Sequence, residues 1–232
     1  MKKRQTITAS LILLSLIFTP ALGWAAEKTV KVFILAGQSN MEGKAKNTLL
    51  DHQATDEKTK ATFAHLRKDN KWIVRDDAFI KYLKRHGGLT IGYGSPGRTG
   101  VELEFGTAVA DHYDEPVLLI KAAWGGHSLV KLFRSPSAGF PSDEKLATEL
   151  ENAQNRVKKN NEKNKKNNPL PTMAEIKSKY GSSYRNMMSE VKETFDNYET
   201  LFPALKGHKL EVVGFVWFRS EEHTSELQSH LN

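Results

Sequence analysis

The chain has 232 residues, 39% hydrophobic and 26% charged, with a formal charge of +7 and no cysteine. This is an ordinary globular composition, enough for one sizeable core, and it excludes both a disulfide framework and a lipidated cysteine. A nucleic-acid surface is excluded as well, because most of the excess charge lies in Arg156 to Asn168, RVKKNNEKNKKNN, where six basic residues face one acid and no aromatic side chain is present to stack on a base.

At the N-terminus Lys2, Lys3 and Arg4 precede an apolar stretch from Ile7 to Leu22, and Gly23-Trp24-Ala25 then offers small residues to a signal peptidase. The pattern predicts a signal peptide over residues 1–25. A membrane anchor is the weaker reading: Thr8, Ser10, Ser15, Thr19 and Pro20 break a run already shorter than the roughly 20 apolar residues a span needs. The expected location is therefore secreted or periplasmic, with no integral membrane association after cleavage.

Lys31 to Ala36 is apolar without alternation, as in a parallel strand covered on both faces. Val117 to Ala123 and Val212 to Phe218 read the same way, and three such strands predict an α/β sheet. Gly87 to Gly100 is too rich in glycine for regular structure and is expected to be a loop near the site. Glu104 to His112, with Phe105, Ala108 and Val109 at helical spacing, is the expected helix before the second strand. The Lys/Asn-rich insertion around residues 151–175 is expected to be solvated, with Arg156 to Asn168 poorly ordered or an exposed helix end, and with an anionic polysaccharide or a negatively charged cell surface as its alternative roles. Asn186 to Phe202, with Met188, Val191, Phe195, Tyr198 and Phe202 at steps of three and four, predicts an amphipathic helix on the sheet.

Ligands of an open α/β sheet collect beyond the carboxyl ends of its strands. The first strand ends in Gly37-Gln38-Ser39-Asn40, where glycine allows a sharp turn and the following N–H groups can face an anion. The second ends in Trp124-Gly125-Gly126-His127-Ser128. Ser39 is a candidate nucleophile or a helix N-cap, and Gly125 and Gly126 form either a substrate-facing backbone or a plain turn.

The blocks FILAGQSNMEG, GVELEFG, LLIKAAWGGHSL and VVGFVWF, in this order, resemble the SGNH-hydrolase superfamily, in its sialate O-acetylesterase and carbohydrate acetylesterase branch. The resemblance implies a flavodoxin-like three-layer α/β/α fold with a parallel sheet, and hydrolysis of acetyl esters on carbohydrates by a serine without metal or cofactor. It makes Ser39 the nucleophile and one oxyanion N–H donor, and Gly125 or Gly126 the second donor. Gln38, Asn40, Glu102 and His127 are then the candidates for substrate contact, Glu102 alternatively orienting a loop and His127 alternatively serving as a base. The implied partner is an acetylated carbohydrate; oligomeric state stays open.

Two family features are missing. No histidine in the chain has aspartate three residues before it, so the Asp-x-x-His acid–base pair is absent, and the Gln-Gly-x-x-Asp block expected after Phe218 is replaced by RSEEHTSELQSHLN. Residues 219–230 are identical to the in-frame translation of a common sequencing adapter, so residues 219–232 are expected to be a non-native tail. The domain expected over residues 26–218 would then be C-terminally truncated and inactive as written. The alternative is a non-catalytic carbohydrate-binding module on an esterase scaffold.

Overall fold

In this computed structural model, which describes residues 28–219, the first apolar run becomes β1 (Thr29–Gly37), with Val30, Val32, Leu35 and Ala36 fully buried. The expected signal peptide, and the expected tail beyond its first residue, lie outside the described residues. β1 is flanked by β8 (Val117–Ala123) and β9 (Lys209–Phe218), both parallel to it. β5 (Ala78–Tyr82) pairs parallel with β8, and β6 (Arg85–Gly88) closes that edge antiparallel, giving the order β6-β5-β8-β1-β9. Two short ladders lie outside the sheet: β2 (Ala45–Lys46) with β7 (Arg98–Thr99), and β3 (Arg67–Lys68) with β4 (Lys71–Trp72).

Alternation along the buried strands sends side chains to two separate cores. On one face Phe33, Leu35, Ile80 and Leu119 pack with Phe105 and Val109 of α3 (Glu102–His112). On the other Val32, Phe79, Leu118 and Ile120 meet Val191, Phe195 and Tyr198 of α6 (Ser182–Leu201). The result is a three-layer α/β/α arrangement on a mostly parallel sheet. Among the described residues no helix is long and apolar enough to cross a membrane.

Several expectations need correction. The sheet is mixed rather than parallel, because the tight turn at Leu83-Lys84 returns β6 alongside β5. β5 was not foreseen, since Lys81 interrupts its apolar run; the lysine is buried because Glu190 of α6 receives it. The glycine-rich segment is a loop only in its middle, its two ends pairing in β6 and β7. β9 is an edge strand among the described residues, with Val212 and Phe215 more than half exposed. The Lys/Asn-rich segment is helical up to Asn164 in α4 (Asp143–Asn164), followed by a short link to α5 (Met173–Lys179). Local signals suffice there: Ser142 accepts a hydrogen bond from the Lys145 N–H, Asp143 and Glu144 occupy the first turn, and Lys163 the last. Only Leu146 of α4 is buried, so its basic residues are indeed solvated.

α6 starts four residues earlier than expected, and its buried face includes Met187 rather than Met188 (7% and 48% exposed). Met187→Ala should therefore cost about 2–5 kcal/mol of stability, while Met188→Ala should stay within about 0.5 kcal/mol. Urea unfolding of the two variants checks this, and equal losses would contradict the assigned face.

Candidate active site

The carboxyl ends of β1, β8 and β9 meet at one place. Gly37 closes β1 with φ +152°, and a Cβ there would lie 2.0 Å from the Phe218 carbonyl oxygen, so glycine is required for β9 to run this close. The Gln38 N–H donates to that carbonyl, and the Trp124 N–H donates to the Gly37 carbonyl. The three strand ends are thereby joined through backbone alone.

The chain then turns into α1 (Ser39–Glu42), a single helical turn. Gln38, not Ser39, occupies the N-cap position, and Ser39 is the first helical residue. Its hydroxyl makes no hydrogen bond within the described residues, and it lines a cavity of about 620 Å³ with Asn40, Lys44, Phe63, Val101 and Phe218. Asn40 is exposed on the same wall.

Gln38 does not face this cavity. It is 2% exposed, and its Nε2 donates to the His127 carbonyl, fastening the Gly125–His127 turn to the start of α1. Its Oε1 is buried without a partner among the described residues, a cost of about 1–3 kcal/mol by itself. The expectation of substrate contact by Gln38 gives way to a clamp.

Glu102 is likewise removed from the surface, at 0% exposure. Its Oε1 accepts from the Gly100 N–H at 2.8 Å and its Oε2 from Lys121 Nζ at 2.6 Å. Lys121 spends its other two donors on the carbonyls of Glu42 and Tyr93, at 3.0 and 2.8 Å. Burial pushes the Lys121 ammonium below its ordinary pKa, against the opposing charge of Glu102. Of the two roles left open for Glu102, orienting the loop is the one its hydrogen bonds perform, since a substrate has no access to it.

Three residues not singled out in the sequence complete the arrangement. The Glu42 carboxylate accepts from Lys44 Nζ at 2.7 Å and from Ser95 Oγ at 2.6 Å. Burial pushes this carboxyl up, but the bonds from Lys44 and Ser95, the Lys44 charge and the Gly125 N–H outweigh it, leaving it below its ordinary value. A Cβ on Gly125 would lie 2.5 Å from Glu42 Oε2, so any larger residue there would displace the carboxylate. Gly126, at φ +76°, faces open space, and no hydrogen bond engages it within the described residues. The signal for this cluster was legible at one point only: a lysine inside the apolar run of β8 demands a buried acceptor.

The His127 side chain meets α6. Its Nδ1 lies 2.7 Å from Ser183 Oγ, and its ring stacks on Trp124 at 5.9 Å and 14°. Burial lowers its pKa, with the charge of Glu42 opposing. No described histidine hydrogen-bonds Ser39.

Ser39 thus follows the carboxyl end of β1, an interior strand of a three-layer α/β protein, the place where ligands of open α/β sheets collect. The chain belongs to the carbohydrate esterase family of sialic acid-specific acetylesterases, whose model matches residues 29–230. Among solved structures it is similar to a protein from Arabidopsis thaliana (15% identity, 82% of this chain and 58% of the other, TM-score 0.37). It is also similar to a carbohydrate acetylesterase from Xanthomonas citri (15% identity, 82% and 33%, TM-score 0.32). The chain thus spans 58% and 33% of the length of these two solved chains. No curated protein matches it.

Glu102→Ala should destabilise the protein by about 3–5 kcal/mol, because it strands a buried ammonium. The double change Lys121→Met with Glu102→Leu should recover most of that loss, apolar groups of similar volume replacing the pair. Urea midpoints compare them; a double variant as unstable as the single one would contradict the stranded-charge explanation.

Proposed function

We propose that the protein is a serine esterase that removes acetyl groups from carbohydrates, with Ser39 as the nucleophile. The observation that carries this reading is the Ser39 hydroxyl, which forms no hydrogen bond with the described residues and lies on the wall of the 620 Å³ cavity. Attack by its Oγ on the acetyl carbonyl would leave an oxyanion for the Ser39 N–H and one glycine N–H of the β8 turn to hold. Gly126 is the better candidate, because a Cβ at Gly126 would meet only open space, whereas Gly125 lies against the Glu42 carboxylate. Membership of a carbohydrate esterase family supports the reaction class. The N-terminal pattern of residues 1–25 supports export as the setting.

A serine hydroxyl is a weak nucleophile without a base. His127 is engaged with Ser183 and Trp124, so we propose that turnover by the chain as given stays near background. Externally added imidazole supplies a base in a direct test. Release of acetate from a per-O-acetylated xyloside should rise with imidazole in the wild-type chain, by about tenfold or more over Ser39→Ala after subtraction of the enzyme-free rate. Equal rates from the two proteins would remove Ser39 from the mechanism, and binding of the xyloside without any Ser39-dependent release would favour a non-catalytic carbohydrate-binding role.

A further inference from the structure

A second concave surface, sharing no lining residue with the Ser39 cavity, lies between α4, α5 and the segment that follows the β8 turn. Its main cavity is about 740 Å³. A neighbouring one of about 520 Å³ shares Ala153, Arg156 and Lys179 with it, so the two form a continuous groove. The lining of the larger cavity carries Lys131, Arg134, Lys145, Arg156 and Lys179 against one carboxylate, Glu149.

That carboxylate is already spent. Glu149 accepts from Lys131 Nζ and from the Tyr180 hydroxyl. Arg134 donates only to the backbone carbonyls of Gly139, Ala138 and Val130. Lys145, Arg156 and Lys179 have no acidic partner among the described residues. Like charges gathered on a concave wall repel one another and focus a positive potential into the groove. Burial, and after it the charge of Lys179, hold the Lys131 ammonium below its ordinary pKa.

We propose that this groove binds an acidic polysaccharide, a chain of sugars bearing carboxylates. Cations spaced along an elongated groove match charges repeated along a polymer. A flat membrane surface cannot enter the concavity. Tyr180 packs edge-on with Phe140 at 6.0 Å and carries the Lys131 ammonium over its ring at 5.2 Å, so an aromatic surface lies directly beside the cations. A nucleic-acid strand would need successive aromatic platforms, and Tyr180 is the sole aromatic residue on the wall of the larger cavity. The site does not depend on the esterase reading, since it requires binding alone.

The test is calorimetric titration of the full chain with an oligogalacturonate, a neutral xylo-oligosaccharide of equal length and a single-stranded oligonucleotide. The oligogalacturonate should bind, more weakly as salt rises toward about 150 mM, and the neutral chain should not. Arg156→Ala with Lys179→Ala, both at exposed positions, should weaken binding about tenfold or more with an unchanged melting temperature. The proposal is overturned by absence of oligogalacturonate binding, by equal binding of the neutral chain or the oligonucleotide, or by unchanged affinity in the double variant.

Discussion

An ammonium group with no access to water sits beneath the strand ends, and the arrangement above it follows from satisfying that group. Lys121 has three donors and finds three acceptors: the Glu102 carboxylate, the Glu42 carbonyl and the Tyr93 carbonyl. Each acceptor lies on a different segment, namely the start of α3, the end of α1 and the glycine-rich loop. Its charge also faces the Tyr82 ring at 4.7 Å. A buried pair is weak evidence of net stability, because the desolvation of two ions offsets most of their attraction. Its effect here is placement: one buried nitrogen ties three separate segments together through its three donors.

Ser39 inherits its position from that placement. Lys121 holds the carbonyl of Glu42, three residues beyond Ser39, while the Glu42 side chain reaches Ser95 and the Gly125 turn. Gln38 then binds the same turn from the other side through the His127 carbonyl. The serine is bracketed by residues fixed to the β8 turn, and its own hydroxyl is left unengaged. The unpaired Oε1 of Gln38 is a local cost accepted within a site whose neighbouring polar groups are otherwise satisfied.

The sheet was legible where the sequence is apolar and hidden where a charge is buried. β1 and β8 were marked by continuous apolar runs, and β8 survived its internal lysine because four apolar residues precede it and two alanines follow. β5 has only Ala78, Phe79 and Ile80 before Lys81, too short a run to be distinguished. The phase of α6 slipped by one residue because Met187 and Met188 are adjacent and composition cannot choose between them. The Lys/Asn-rich segment was read from its lack of apolar groups, whereas capping and end charges decide that it is helical. At the site, Ser39 and the glycine pair stood out because strand ends and glycine mark them. Glu102 and Gln38 did not reveal their roles, since a polar residue in a loop reads as a surface group until its burial is known.

The account rests on the claim that Lys121 organises the segments around Ser39 rather than the sheet itself. Native-state hydrogen exchange on Lys121→Met measures this residue by residue. The amides of Gly100, Ser95 and Gly43, which bond Glu102, the Gly43 carbonyl and the Ser39 carbonyl, should exchange at least about tenfold faster through local opening. Amides of Phe33 to Leu35 in β1 should keep their wild-type protection. Unchanged exchange at Gly100, Ser95 and Gly43, or an equal loss of protection throughout β1 and β8, would contradict it.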